Sequence, residues 1–107
     1  MKLLTKEITR QALAQYPQGA EMHNQKVVAK FFNPTGRGTW FLMNLEDESG
    51  EYAWGIVDLY EVEVGSFSVA ELASVKLPFG LGIERDLSFQ PMRASEVLKK
   101  LRAGEHV

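Results

Sequence analysis

Residues 39–60 read TWFLMNLEDESGEYAWGIVDLY, and this stretch decides the fold. Its first part, Thr39 to Leu45, is apolar on both parities. Such a strand sits in the middle of a sheet or is covered on both faces. Its last part, Tyr52 to Tyr60, puts Tyr52, Trp54, Ile56, Asp58 and Tyr60 on one parity. Ala53, Gly55, Val57 and Leu59 fall on the other. Both runs are rich in the β-branched and aromatic residues that strands favour. The small residues at 53 and 55 predict close approach of a helix on that side. EDESGE is a polar hairpin connection between the runs. It lacks the ligand spacing and the distal glutamate of a calcium loop.

Upstream, VVAKFF (27–32) adds a strand, and NPTGRG leads from it into Thr39. Pro34 and Gly36 suit the second and fourth positions of a turn. Short connections of this kind predict antiparallel pairing. Downstream, the acidic EVEVG reads as a connection, LPFGLG as a turn-rich one, and IERDLSF (83–89) as the fourth strand. Three helices complete the reading. Residues 5–16 start at Thr5 as N-cap, place Ile8, Ala12, Leu13 and Tyr16 on one face, and stop at Pro17 and Gly19. A second helix opens at Ser68, with Glu71 three residues on in a capping box, and ends near Val75. Residues 94–103 end at Gly104, with Lys99, Lys100 and Arg102 at the C-terminal end, where cations suit the helix dipole. The expected architecture is α+β. A mainly antiparallel four-stranded sheet carries N-terminal, short central and C-terminal helices against one face, and residues 1–107 form a single domain.

Composition narrows the function. The chain has 107 residues, 12 basic and 14 acidic, for a net charge of -2. That field is too weak to argue for nucleic acid or an anionic membrane. There is no cysteine, so thiolate metal sites and cysteine nucleophiles are excluded. The two histidines, His23 and His106, make a poor basis for a triad or a histidine metal site. No cofactor is expected. MKLLTKEITRQ is neither a leader nor a membrane span, so the expected location is cytoplasmic, with no membrane partner.

Several residues are candidates for a site. In NPTGRGTW, Arg37 and the surrounding amides suit an anion, and Trp40 suits a stacked base. A plain turn with a solvated arginine and a core tryptophan explains the same residues, and neither phosphate-loop spacing is present. Asp58, Glu84 and Asp86 are acids of the type that hold magnesium, though strand-edge carboxylates are commonly just solvated. Tyr52, Trp54 and Tyr60 form a stripe that suits a nucleic-acid platform or a covered face, and no basic residues interleave with it. Arg85 shares parity with Ile83, Leu87 and Phe89. An arginine in a core register needs a partner, because an unpaired buried charge costs several kcal/mol. The parity-matched acid is Asp58, so an Arg85–Asp58 ion pair is expected. Exposure of Arg85 at a sheet edge is the alternative. Glu84 and Asp86 then face the other way and remain surface candidates, with Arg37 and Trp40.

KFFNPTGRGTWFLMNLE, WGIVDL, GSFSVAELASV and LPFGLGIERDLSF together resemble a bacterial domain-of-unknown-function family of small proteins. Its pattern runs F-x-P, TW, DL, S-x-x-EL and P-x-GL-x-IERDL-x-F, over about residues 27–90. The resemblance implies carriage on plasmids and other mobile DNA, and a cytoplasmic setting. It carries Thr39, Trp40, Asp58, Glu84, Arg85 and Asp86 as pattern positions, without roles. The chain departs from the pattern in its NPTGRG turn and in the short stretch before Gly65. The leading expectation is a non-enzymatic accessory protein of mobile genetic elements that binds another protein. One alternative is a metal-dependent nuclease using Asp58, Glu84 and Asp86, with Arg37 or Arg85 on phosphate. The other is a single-strand nucleic-acid binder using Trp40, Trp54 and Arg37.

Overall fold

The computed structural model describes residues 1–107. Helix α1 (Lys6–Ala14) begins where Thr5 Oγ1 accepts from the Ile8 N–H at 3.1 Å, which satisfies one of the free amides of the first turn. Strands β1 (Lys26–Val27), β2 (Ala29–Phe32), β3 (Thr39–Leu45), β4 (Ala53–Asp58) and β5 (Val62–Phe67) follow. Helix α2 (Val69–Ser74) starts at Ser68, whose hydroxyl accepts from Glu71 N–H at 3.0 Å. Strands β6 (Glu84–Arg85) and β7 (Met92–Arg93) then lead into α3 (Ala94–Arg102).

The main sheet has five strands in the order β5-β4-β3-β2-β6, all antiparallel. β3 is its middle strand, as its apolar composition predicts. The extra strand relative to the four expected is β5. Val62 and Val64 alternate with exposed Glu63 there, and the segment pairs with β4 along its length. β1 and β7 form a separate two-stranded ribbon.

The helices cover both faces of the sheet, where the sequence predicts one. Phe31, Leu42, Leu45 and Ala53 pack with Leu3, Ala12, Val69 and Ile83 on the side of α1 and α2. Phe41, Met43 and Ile56 pack with Ala94 and Val97 of α3 on the other side. Successive side chains of a strand point to opposite faces, so an all-apolar β3 requires cover on both.

A bulge interrupts β3. Leu42 pairs with Gly55 and Asn44 with Trp54, leaving Met43 unpaired. The Gln15 side chain repairs the gap. Its Nε2 donates to the carbonyls of Met43 (2.7 Å) and Lys26 (3.0 Å), and its Oε1 accepts from Lys26 N–H (2.8 Å). A side-chain amide thus replaces a backbone one, which a buried strand carbonyl needs. Gly55 is required at the same place. A Cβ there would lie 2.1 Å from the Phe41 carbonyl oxygen and 2.8 Å from the Phe67 ring. The expectation that a helix approaches Gly55 is therefore corrected: a strand backbone and an aromatic ring fill its missing Cβ.

Candidate functional site

The segment expected to be the fourth strand, IERDLSF, is a strand only at Glu84–Arg85. After Arg85 the chain turns. Asp86 Oδ1 accepts from Ser88 N–H (2.9 Å), and Leu87 is 71% exposed. Parity therefore stops carrying information past Arg85, which is why an apolar leucine in register lies in solvent.

Arg85 does not reach Asp58. Arg85 pairs opposite Phe31 at the sheet edge, and Asp58 sits on β4, with β3 and β2 between the two strands. Three inter-strand spacings separate them by about 14 Å. The guanidinium instead donates through Nη1 to the carbonyls of Lys2 and Leu3 (the latter at 3.1 Å). Arg85 thus fastens the N-terminal segment to β6. Neutral backbone oxygens suffice as acceptors because the side chain is only half-buried.

The buried charge of this region is Lys30, in the middle of VVAKFF. Its side chain is 8% exposed. Its ammonium donates to the backbone oxygen of Val107, lies 3.6 Å from Asp86 Oδ2, and sits 5.9 Å from the Phe41 ring centroid. The parity reasoning that flags Arg85 in IERDLSF applies equally to Lys30, a lysine inside the apolar run VVAKFF. Asp86, expected to be a free surface acid, is the counter-charge of Lys30.

Lys30, Phe32, Thr39, Glu84, Arg85 and Asp86 line an open cleft of about 510 Å³, together with His106 and residues of the 33–38 loop. Two cations and two carboxylates cancel in charge there, so the cleft selects neither anions nor cations strongly. Glu84 and Asp86 both line it; Asp58 does not. No group of three or more His, Asp or Glu side chains is placed to hold a metal ion, and the three acids proposed as magnesium ligands do not converge.

Arg37 and Trp40 also separate. Arg37 is exposed at the loop tip. It stacks 5.3 Å from the Tyr60 ring centroid and reaches the Leu59 carbonyl at 3.4 Å. Trp40 is half-buried against the α1 side of the sheet, its ring tight against Gly38. Trp54 packs on the α3 side, edge-on to Tyr52 at 6.1 Å. The two tryptophans occupy opposite faces and cannot form one stacking platform. Tyr60 lies beyond β4 in the following turn and is 85% exposed.

The most exposed aromatic lies in the 75–82 segment, read from sequence only as a connection. Phe79 is 96% exposed and has φ +62. That left-handed conformation is a genuine outlier for a bulky residue. The turn is closed by Leu77 N–H to the Leu81 carbonyl (2.9 Å) and Leu81 N–H to the Pro78 carbonyl (3.3 Å). Val75 and Leu81 beside it are also exposed. Pro-Phe-Gly places this large residue between two turn formers, which is the sequence signal for its display.

No helix of the chain is long and apolar enough to cross a membrane. No curated protein and no solved structure matches the sequence. A family model described as "Protein of unknown function (DUF2958)" matches residues 3–106, taking in α1 and α3 as well as the 27–90 region. The chain, with its five-stranded sheet covered on both faces, belongs to this family of proteins of unknown function.

Proposed function

We propose that the protein is a protein-binding module, acting as one folded unit, and that the turn carrying Phe79 is its principal contact. The observation behind this reading is a phenylalanine held at φ +62 with 96% of its surface in water. Backbone strain of this kind is worth about 1–3 kcal/mol and persists where the surroundings over-determine it. Here two backbone hydrogen bonds and Pro78 hold the turn, so a partner meets the ring already in place. Pre-ordering lowers the entropic cost of association. The sequence resemblance adds the setting: an accessory protein of bacterial mobile genetic elements, acting in the cytoplasm on another protein of that system.

The test is photo-crosslinking in the host cell, with Phe79 replaced by its benzoyl derivative. The reading expects a discrete protein adduct, competed by excess unlabelled wild-type chain and not by the Phe79→Gly variant. Absence of an adduct, or equal competition by Phe79→Gly, overturns it.

A further inference from the structure

A second surface shares no residue with the Phe79 turn. A groove of about 690 Å³ runs between α1, the 46–50 turn and α2. Its apolar floor is made by the half-buried Leu4 and Leu13, beside the buried Val69. Ala70 and Ala73, one turn apart on α2, leave that wall low. Lys6, Thr9, Arg10 and Leu13 line the α1 wall at the i, i+3, i+4, i+7 spacing of one helix face.

The groove is preformed. Ala70 N–H donates to the Gly50 carbonyl at 3.1 Å, fastening the 46–50 turn to α2. Gly50, at φ +74, lets that turn close over Val69 and Leu4, which a Cβ would meet at 3.5 Å. The N-terminal segment that forms the remaining wall is held by Arg85 through the Lys2 and Leu3 carbonyls.

Charge decides the occupant. Lys2 and Lys6 are exposed on the α1 side and make no salt bridge, whereas Arg10 is engaged by Glu7. Glu48 stands on the opposite rim. We infer that this groove docks an amphipathic helix of a partner protein, apolar on the face that meets Leu4 and Leu13, with carboxylates on the flank beside Lys2 and Lys6. Two helix faces over a sheet leave the space that a third helix fills by ridge-into-groove packing. An apolar floor with a basic rim is the arrangement that binds helical peptides through i, i+3, i+4 and i+7 anchors. The low Ala70–Ala73 wall admits its backbone closely.

The test uses a fluorescein-labelled helical peptide of leucine, alanine and glutamate, with leucines on one face and glutamates on the adjoining flank. Three controls accompany it: a scrambled order, a lysine-for-glutamate version, and dodecanoate. The full-length chain should bind the first peptide, more weakly as salt rises. Amide shifts should concentrate at Lys6, Thr9, Ala70 and Ala73. Ala73 is exposed, so Ala73→Glu should keep the fold while weakening binding roughly tenfold or more through like charge and lost clearance. Lys6→Glu should do the same, and Phe79→Gly should leave this binding unchanged. Equal binding of the scrambled or lysine peptide, shifts elsewhere, unaltered affinity in Ala73→Glu, or binding of dodecanoate alone each overturns the inference.

Discussion

Removing the Arg85 guanidinium should release the N-terminal segment and leave Asp58 unaffected. Arg85→Met keeps most of the aliphatic stem and deletes the donor that serves the Lys2 and Leu3 carbonyls. Hydrogen bonds involving a charged group contribute about 1.5–3 kcal/mol each. Here one nitrogen serves both acceptors at a half-exposed edge, so the total loss should be about 1.5–3 kcal/mol. At about 4 °C per kcal/mol for a domain near this size, Tm should fall by roughly 6–12 °C. The loss should also be local. Leu3 is buried at 3% exposure and belongs to the α1-side core, so amide exchange should accelerate from Lys2 through the start of α1. Asp58→Asn should change stability by less than about 0.5 kcal/mol. In a double-mutant cycle the two changes should be additive within about 0.5 kcal/mol, as for sites more than about 10 Å apart. A coupling above about 1 kcal/mol, or an Arg85→Met variant that melts within about 2 °C of wild type, would refute the assignment of Arg85 to the N-terminal carbonyls.

Other predictions follow from the same packing. Asp86→Asn leaves the buried Lys30 ammonium with the Val107 oxygen and should cost about 1–3 kcal/mol, whereas Lys30→Met should cost less, because the carboxylate it leaves is partly exposed and keeps the Ser88 N–H; chemical denaturation that ranks them the other way contradicts a buried, paired Lys30. Gly55→Ala drives a methyl into the Phe41 carbonyl and should cost more than about 2 kcal/mol or prevent folding, while Gly65→Ala, with open space around it, should cost under about 1 kcal/mol. At low pH, Asp47 and Glu21 matter. The Ser49 hydroxyl and N–H hold Asp47 below the ordinary carboxylate value, and the His23 and Asn24 amides do the same for Glu21. Their folded-state values lie below the unfolded ones. Their contribution is therefore complete above the unfolded carboxylate range and is lost as pH falls through the lowered values. Carboxyl NMR titration should show Asp47 moving back up in Ser49→Ala, and no movement would contradict the cause.

Much of the architecture is legible in the sequence because its signals are local. Thr5 and Ser68 sit at helix starts and accept the expected amide hydrogens. Gly104, at φ +78, follows the end of α3. The both-parity apolarity of TWFLMNL marks a doubly covered middle strand, and taken alone it already argues against helices on one face. β5 is less legible, because acidic Glu61 and Glu63 interleave with Val62 and Val64 and lower the apolar signal of the strand. The site was harder to read. Parity identifies a face only inside a strand, and IERDLSF leaves the sheet after two residues. It also says nothing about strand order, so Arg85 and Asp58 match in parity while standing on strands that never meet. Arg85 and Lys30 donate to backbone oxygens of residues 2, 3 and 107, and Asp86 is the counter-charge of Lys30, all contacts of long sequence separation that no local pattern encodes. Phe79 is not marked out by pattern, because a turn of Pro and Gly reads as a connection whatever it displays.

The most direct measurement of the central claim compares stability and partner affinity in Phe79→Gly. The ring touches little of its own fold, and glycine accepts φ +62 without the strain phenylalanine bears there. Relief of that strain outweighs or balances the about 0.5–1 kcal/mol of added chain entropy. Stability should therefore be unchanged or higher by up to about 2.5 kcal/mol. Affinity for the crosslinked partner should fall roughly 30- to 150-fold, the equivalent of about 2–3 kcal/mol for burying a phenylalanine ring. Retained affinity, or a loss of stability above about 1 kcal/mol, would contradict a phenylalanine displayed for a partner.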